Sequence, residues 1–241
     1  MNLVLFSESI YTAESAMPIE GFVAIQGNRI AAVGDRANAA CWVRDAERVI
    51  ELGNRTVTPG FVDCHTFFTG YLLLSLGVDF SGITSDEDGI DAIHNYHRQH
   101  PEQSYVFGHG WEAEGFKTGE DNLLDREFPE MPVVIFTSGR DNCWMNAKAR
   151  GTFGFTPEKC YAEMIWRMMP YFLNEPETEQ KYVSYMKMLN ERGITSIKET
   201  TFDDYYGFLD TMEKLETNGR MTVRVAFMSQ PVGRGINIEH G

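Results

Sequence analysis

This sequence of 241 residues lacks both a long apolar run and closely spaced cysteines. No stretch reaches the roughly 18 uninterrupted apolar residues of a membrane-spanning helix, and no basic region precedes an apolar core at the amino terminus. We therefore expect a cytoplasmic protein with no membrane partner. The cysteines form no C-x-x-C pair, which argues against a zinc-ribbon site and predicts reduced thiols. They are Cys41, Cys64, Cys143 and Cys160.

Positive charge is also scarce. Lys and Arg total 21 against 35 for Asp and Glu, which gives a formal net charge of -14. Nucleic acids and anionic membrane surfaces attract basic proteins, so we expect neither as a partner. Hydrophobic residues make up 43% of the chain, which is enough to bury the core of one large domain, or of a small domain and a medium one.

The most informative segment is PGFVDCH at 59–65. Its Pro-Gly pair predicts a turn, and the bulky, β-favouring residues Phe61 and Val62 predict a short buried strand after it. Alternation along a strand places Asp63 and His65 on one side. Polar ligand types at the carboxyl end of a buried strand indicate a functional site.

This segment resembles the amidohydrolase superfamily, and more narrowly its amidohydrolase-3 branch, which includes N-substituted formamide deformylases. In that family a P-G-F-(I/V)-D-x-H-x-H segment forms the first strand of a (β/α)8 barrel, and its two histidines bind a catalytic divalent metal. The resemblance implies a zinc ligand at His65, a supporting carboxylate at Asp63 and a small-molecule substrate with a non-peptide C–N bond. Phe67 stands where the second histidine belongs. A phenyl ring donates no lone pair, so we expect a degenerate metal site.

A further metal candidate is Lys198, which follows the predicted strand Ile194–Ile197. In parts of the superfamily a carboxylated lysine bridges two metals, and the resemblance extends this role to Lys198 only weakly, because the surrounding residues differ from the usual setting. The alternative is an ion-paired surface lysine.

Four residues are predicted to line a substrate pocket. The run Gly108–Trp111 resembles the family's Gly-x-Gly-Trp turn, in which Trp111 would cover a pocket wall, and a core tryptophan beside a turn is the alternative. Residues 139–149 resemble the family's Gly-His-x-x-Trp-x-Asn segment. Trp144 and Asn146 match it, whereas Asp141 stands where the histidine is normally found.

We predict an α/β fold: a partial (β/α)8 TIM-type barrel preceded by a small β-rich domain. The small domain covers 1–57, with a hairpin at Gln26–Arg29 and a short helix within Arg36–Arg44. The barrel part covers 58–241, with an inserted segment at about 66–170. From Glu177 to Phe227 the order helix, strand, helix, strand predicts a βαβ unit and hence a parallel sheet.

Two other patterns are interpreted as structural. A helix is predicted from the N-cap Ser85 to His100, and its histidines at 94, 97 and 100 are interpreted as a solvated face. The Met-rich segment at 162–169 is interpreted as packing surface.

Three functions remain open. The chain is a hydrolase acting on non-peptide C–N bonds, or an inactive binding or regulatory member of the family, or a truncated product without activity. His65 and the pocket motifs favour the first two. Phe67 and Asp141 favour the second over the first. The resemblance covers about the first half of the family's length, so we also expect an incomplete barrel with an open sheet edge that promotes self-association.

Overall fold

The computed structural model describes residues 2–73, 75–112, 121–139, 141–160, 167–168, 170–173, 177–200 and 208–228. The chain divides into two compact units, Met1–Phe61 and Val62–Gly241. The Met-rich segment at 162–169 lies outside the described residues apart from Arg167 and Met168. None of the helices in the described part is long and apolar enough to cross a membrane.

The first unit is a mostly antiparallel sheet. Its elements are β1 (Asn2–Ile10), β2 (Ile19–Gln26), β3 (Arg29–Gly34), α1 (Ala40–Arg44), β4 (Arg48–Glu51) and β5 (Thr56–Val57). The strand order is β3-β2-β1-β4, and β5 also pairs with β1. The predicted hairpin is confirmed, because β2 and β3 pair antiparallel across a turn in which Gly27 adopts a φ of 63°. Val4, Phe6, Phe22, Ala24 and Ala39 form its core.

From Phe61 onward the chain alternates strands and helices. The elements are β6 (Phe61–Thr66), α2 (Phe68–Leu73), β7 (Val78–Asp79), α3 (Asp86–Gln99), β8 (Val106–Trp111), α4 (Leu123–Glu127), β9 (Val133–Thr137), β10 (Cys143–Met145), α5 (Ala147–Phe153), α6 (Thr178–Glu191), β11 (Ile194–Glu199), α7 (Phe208–Thr217) and β12 (Arg224–Phe227). The predicted α/β class is confirmed.

Three strands form the sheet that carries the metal-site motif, in the order β12-β11-β6. β11 and β12 pair parallel, from Ser196 opposite Arg224 to Glu199 opposite Phe227, and α7 connects them. The predicted βαβ unit is therefore confirmed. Helix α6 packs against this sheet and buries Tyr182, Met186 and Leu189 on one face. Gly193, at a φ of 78°, follows its end.

A separate four-stranded sheet, in the order β10-β9-β8-β7, lies within the segment between α2 and α5. Helix α3 flanks this sheet and begins as predicted, since the Ser85 hydroxyl accepts a hydrogen bond from the Asp88 amide. The prediction of a turn at Gly108–Trp111 was wrong. These residues continue β8, and the ladder accommodates them with a bulge in which Gly110 adopts a φ of 78°.

The burial predicted for the start of β6 was also wrong. Phe61 is 53% exposed and Val62 is 60% exposed. The reason is the position of the strand: β6 is an edge of the β12-β11-β6 sheet, so within the described part of the chain only β11 flanks it. Thr66, at the carboxyl end, is buried at 7% exposure.

The close approach of Gly77 to β8 gives a test of this packing. Gly77 has a φ of 84°, and a Cβ there would lie 1.9 Å from the Phe107 carbonyl oxygen. We expect Gly77→Ala to lower the free energy of unfolding by about 3 kcal/mol, through strain and a backbone clash. Gly151→Ala is the control, because Gly151 is helical with no atom near its missing Cβ, and alanine there stabilises by up to about 1 kcal/mol. Urea unfolding measures both; equal destabilisation would contradict this packing.

Candidate functional site

The motif residues lie together at the carboxyl end of β6. His65 and Phe67 are both exposed, and their rings meet edge to face with centroids 5.3 Å apart. The half-buried Asp63 accepts a hydrogen bond at Oδ1 from the backbone N–H of His65, over 3.1 Å. The Asp63 carboxylate therefore binds the backbone of His65. The side chains at 65 and 67, where the family motif has its two histidines, lie side by side.

The donor set at this strand end does not suit a metal ion. Zinc takes three or four nitrogen, sulfur or oxygen ligands from the protein. On the side of β6 that carries the motif there is one imidazole and a carboxylate already bonded to an N–H, while the exposed Cys64 alternates to the other side. Throughout the described residues, no group of three or more His, Cys, Asp or Glu side chains converges as a metal site would require. Lys198 is exposed on β11, next to the buried Ile197. The metal roles given to His65 and Lys198 stay predictions.

A buried polar group beside this strand end was missed by the sequence reasoning. Glu199, at the carboxyl end of β11, is fully buried, and its Oε2 accepts a hydrogen bond of 3.1 Å from the Thr69 amide. The Thr69 hydroxyl accepts a hydrogen bond of 3.1 Å from the Tyr182 phenol. Burial raises the pKa of Tyr182, and the nearby Glu199 carboxylate adds to the rise, so the phenol stays a neutral donor.

The two strand ends are also joined directly. The backbone N–H of Thr200 donates to the Thr66 carbonyl over 2.9 Å, and the Thr200 hydroxyl lies 3.2 Å from the same oxygen. Alternation could have identified Glu199. Ile197 faces inward and Lys198 outward, so the next residue must face inward again.

A second polar site lies at the carboxyl end of β8. A cavity of about 250 Å³ is lined there by Trp111, Asp141, Asn142, Cys143, Pro157 and Glu158. Two of the predicted pocket residues, Trp111 and Asp141, thus face the same space. Asp141 is exposed, and its Oδ1 accepts a hydrogen bond of 2.9 Å from the Thr137 hydroxyl across the turn between β9 and β10.

Trp144 and Asn146 lie in the core instead of on that wall. The Trp144 indole stacks on Trp111 with centroids 6.2 Å apart, and its N–H donates to Asn122 over 2.9 Å. Asn146 is fully buried and caps α5, because its Oδ1 accepts from the Ala149 amide. The Asn146 amide group also bonds the backbone of Phe128, Met131 and Val133. A pocket role for these two residues stays a prediction.

The histidines of α3 are half-buried, so the interpretation of a solvated face was too simple. The ring centroid of His94 lies 4.6 Å from that of Phe128, and His100 stacks on Tyr96 at 4.4 Å. His97 is likewise half-buried. These contacts show a packing role for the helix.

The fold and its strand-end motif define a class. Two solved structures, each an uncharacterized metal-dependent hydrolase, from Pyrococcus horikoshii OT3 and Pyrococcus furiosus, match the chain with a TM-score of 0.66. Each is 19% identical to this chain, and each match covers 95% of it. The matched region is 48% of the P. horikoshii protein and 50% of the P. furiosus protein. At this identity the likeness concerns the fold alone: that of the metal-dependent hydrolases, in agreement with a partial TIM-type fold and a β-rich part.

Sequence comparison narrows the class. The Amidohydro_3 model, described as the amidohydrolase family, matches residues 48–240, so this chain belongs to the amidohydrolase family. YtcJ of Bacillus subtilis, described as an amidohydrolase, is 31% identical over 110 residues, which are 44% of this chain and 21% of YtcJ. The resemblance inferred from the sequence is confirmed.

Two further relatives carry other names. Protein LONG AFTER FAR-RED 3 of Arabidopsis thaliana is 24% identical over 136 residues. The match covers 56% of this chain and 23% of the Arabidopsis protein. The exoenzymes regulatory protein AepA of Pectobacterium carotovorum is 23% identical over 147 residues. The match covers 58% of this chain and 32% of AepA. The matched regions therefore span less than a third of each curated relative.

The buried amide of Asn146 gives a second prediction. We expect Asn146→Ala to lower the free energy of unfolding by at least about 3 kcal/mol, because it removes a helix cap and leaves buried backbone groups without partners. The control Asn95→Ala changes an exposed amide within α3 and should alter stability by less than about 0.5 kcal/mol. Tryptophan fluorescence in urea measures both. A change at Asn146 as small as that at Asn95 would contradict the structural role.

Proposed function

We propose that this chain is an amidohydrolase-like protein of the class that hydrolyses non-peptide C–N bonds, and that its metal-binding strand is degenerate. The observation that carries the proposal is the pairing of His65 with Phe67 at the end of β6, where the family motif has two imidazoles. Family membership supports the hydrolase class. The phenyl ring beside His65 supports the degenerate site.

The cofactor of the class is a divalent metal, and zinc is our specific proposal for it. The residues described at β6 do not fit such an ion by themselves, since they provide one uncommitted nitrogen ligand. We therefore assign no reaction step to a metal here. His65 is the residue of β6 that would contact such an ion.

The finer features of the proposal follow from the class. The strands β6, β11 and β12 are the first strands of a TIM-type barrel, and the substrate is a small molecule. The cavity lined by Trp111 and Asp141 combines an aromatic wall with a carboxylate, which suits a small polar ligand. The acidic net charge supports the absence of a nucleic-acid partner. The location that we propose is cytoplasmic.

A second candidate is a binding or regulatory protein without catalysis. Two observations favour it: Phe67 occupies the position of a metal ligand, and the carboxylate of Asp141 is held by Thr137. The name of the relative AepA, a regulatory protein, agrees with this alternative.

Zinc content tests the degenerate site. We expect the purified chain, loaded with zinc and passed through gel filtration, to retain well below one zinc per chain. The loss of supporting contacts around a metal lowers affinity by about 10- to 100-fold, and the loss of a directly bound ligand costs at least as much. We expect the Phe67→His variant also to retain less than one zinc per chain, because the described residues provide no further ligands around this position. Elemental emission measures the zinc.

The control is His65→Ala. Near-unit zinc occupancy in the unmodified chain that disappears in this variant would refute the degenerate site.

Hydrolysis of N-formyl and N-acyl compounds with added zinc separates the hydrolase from the binding protein. Turnover that His65→Ala abolishes supports a working hydrolase. Ligand-dependent thermal stabilisation without turnover supports the binding protein.

We also propose that a second copy of the chain is a partner. The edge strand β6 exposes Phe61 and Val62, and such an edge can pair with another chain. We expect the chain to self-associate and Val62→Lys to shift it toward monomer, because a charge on an edge strand opposes pairing. Met17→Lys, at a side chain 74% exposed in the first unit, is the control. A compact monomer of the unmodified chain at high concentration in sedimentation would refute the proposal.

A further inference from the structure

A long groove lies beside α7 in the second unit. Its volume is about 720 Å³, and it runs between α7 and the segment that leads from Met221 into β12. The α7 residues that line it extend from Leu209 to Glu216, which is about 10 Å along the helix axis at a rise of 1.5 Å per residue. The groove is therefore long enough to seat about two turns of another helix.

The floor of the groove is apolar, and the core holds it in place. Met212 is 4% exposed and Val223 is 3% exposed. The lining also includes half-buried hydrophobic residues that pack against the core, namely Leu209, Met221, Val225 and Phe227. The Phe227 ring contacts the ring of Phe208, with centroids 5.7 Å apart, and so joins β12 to α7. Apolar surface that remains open in a groove of this kind marks a recognition site.

The rim that α7 provides is acidic. Asp210, Glu213 and Glu216 are exposed and follow one another at intervals of three residues, so they lie along one side of the helix. Within the part of the chain that the structure describes, none of the three forms an ion pair, and the neighbouring Lys214 is paired with Glu179. The basic residue of the lining is Arg224. Three carboxylates therefore outnumber one guanidinium around the groove.

We propose that this groove is a docking site for a basic amphipathic helix of a partner protein. The apolar stripe of that helix covers the floor, and lysine or arginine residues beside the stripe pair with the carboxylates of α7. The proposal does not depend on the proposed function, because the residues that line the groove belong neither to the end of β6 nor to the cavity beside Trp111.

The spacing of the charges favours a helix over a strand. Carboxylates three residues apart on α7 repeat about every 4.5 Å along its axis, which matches side chains three or four residues apart on a second helix. Along a strand, alternate side chains point to opposite faces, so basic residues between apolar ones would point away from α7. A second copy of this chain is a poor match, because it carries a net charge of -14.

The test measures binding of a synthetic peptide to the full chain. The probe is a fluorescein-labelled peptide of about 18 residues, half leucine and half lysine, in which the leucines form one stripe on a helix. We expect saturable one-to-one binding, measured by fluorescence anisotropy, that weakens as sodium chloride is added. A peptide of the same composition in which leucine and lysine strictly alternate has the period of a strand, and we expect it to bind at least about 10-fold more weakly.

Two matched variants locate the site. Glu213→Gln with Glu216→Gln removes two charges from the rim, and Glu87→Gln with Asp91→Asn removes two exposed charges from α3, so both proteins carry the same net charge. We expect the rim variant to bind the helical peptide about 3- to 10-fold more weakly, which is the range for two exposed ion pairs. The α3 variant should bind it as the unmodified chain does. All four positions are exposed, and circular dichroism checks that both variants fold.

Four results would overturn the proposal. Equal losses of binding in the two variants would show attraction to the net charge of the protein alone. Equal or tighter binding of the alternating peptide would make a strand the occupant of the groove. Absence of binding at low salt by the folded chain would show that the groove takes no such helix. Displacement of the peptide as the chain self-associates would assign the groove to a second copy.

Discussion

A buried carboxylate fixes the carboxyl ends of the two strands at the candidate site. Glu199 ends β11 inside the protein, and its bond to the Thr69 amide holds the segment that follows β6. The phenol of Tyr182 brings α6 into the same network through Thr69. An ionisable group without water is stable only when hydrogen bonds or charges compensate it, so these three elements must be placed together. The positions of His65 and Phe67 depend on this arrangement, because both residues precede Thr69 by only a few positions in the chain.

The sequence predicted those parts of the fold that local patterns determine. The hairpin at Gly27 and the N-cap at Ser85 follow from turn and capping chemistry, and both are confirmed. The parallel pairing of β11 with β12 follows from the single helix between them. These features need only the residues of their own segment, which is why one sequence suffices to find them.

Other features depend on neighbours that are distant in the sequence. Phe61 and Val62 have the composition of a buried strand, but exposure depends on how many strands flank β6. Similarly, Gly110 suggested a turn, and only the pairing of β8 with β9 shows that its positive φ belongs to a bulge. At the site, the motif located His65 correctly at a strand end. The carboxylate of Glu199 carried no motif, and only its inward alternation pointed to it.

The two departures from the family motif are each accommodated by local contacts. Phe67 packs the edge of its ring against His65, and Asp141 accepts a hydrogen bond from Thr137 that closes the turn between β9 and β10. The described contacts of Phe67 and of Asp141 share no residue, so a histidine restored at 67 would leave the segment around Asp141 unchanged, and the reverse holds as well. The departure at 67 concerns the strand end of β6 and the departure at 141 concerns the cavity beside Trp111, so the two are separate substitutions at separate places in the fold.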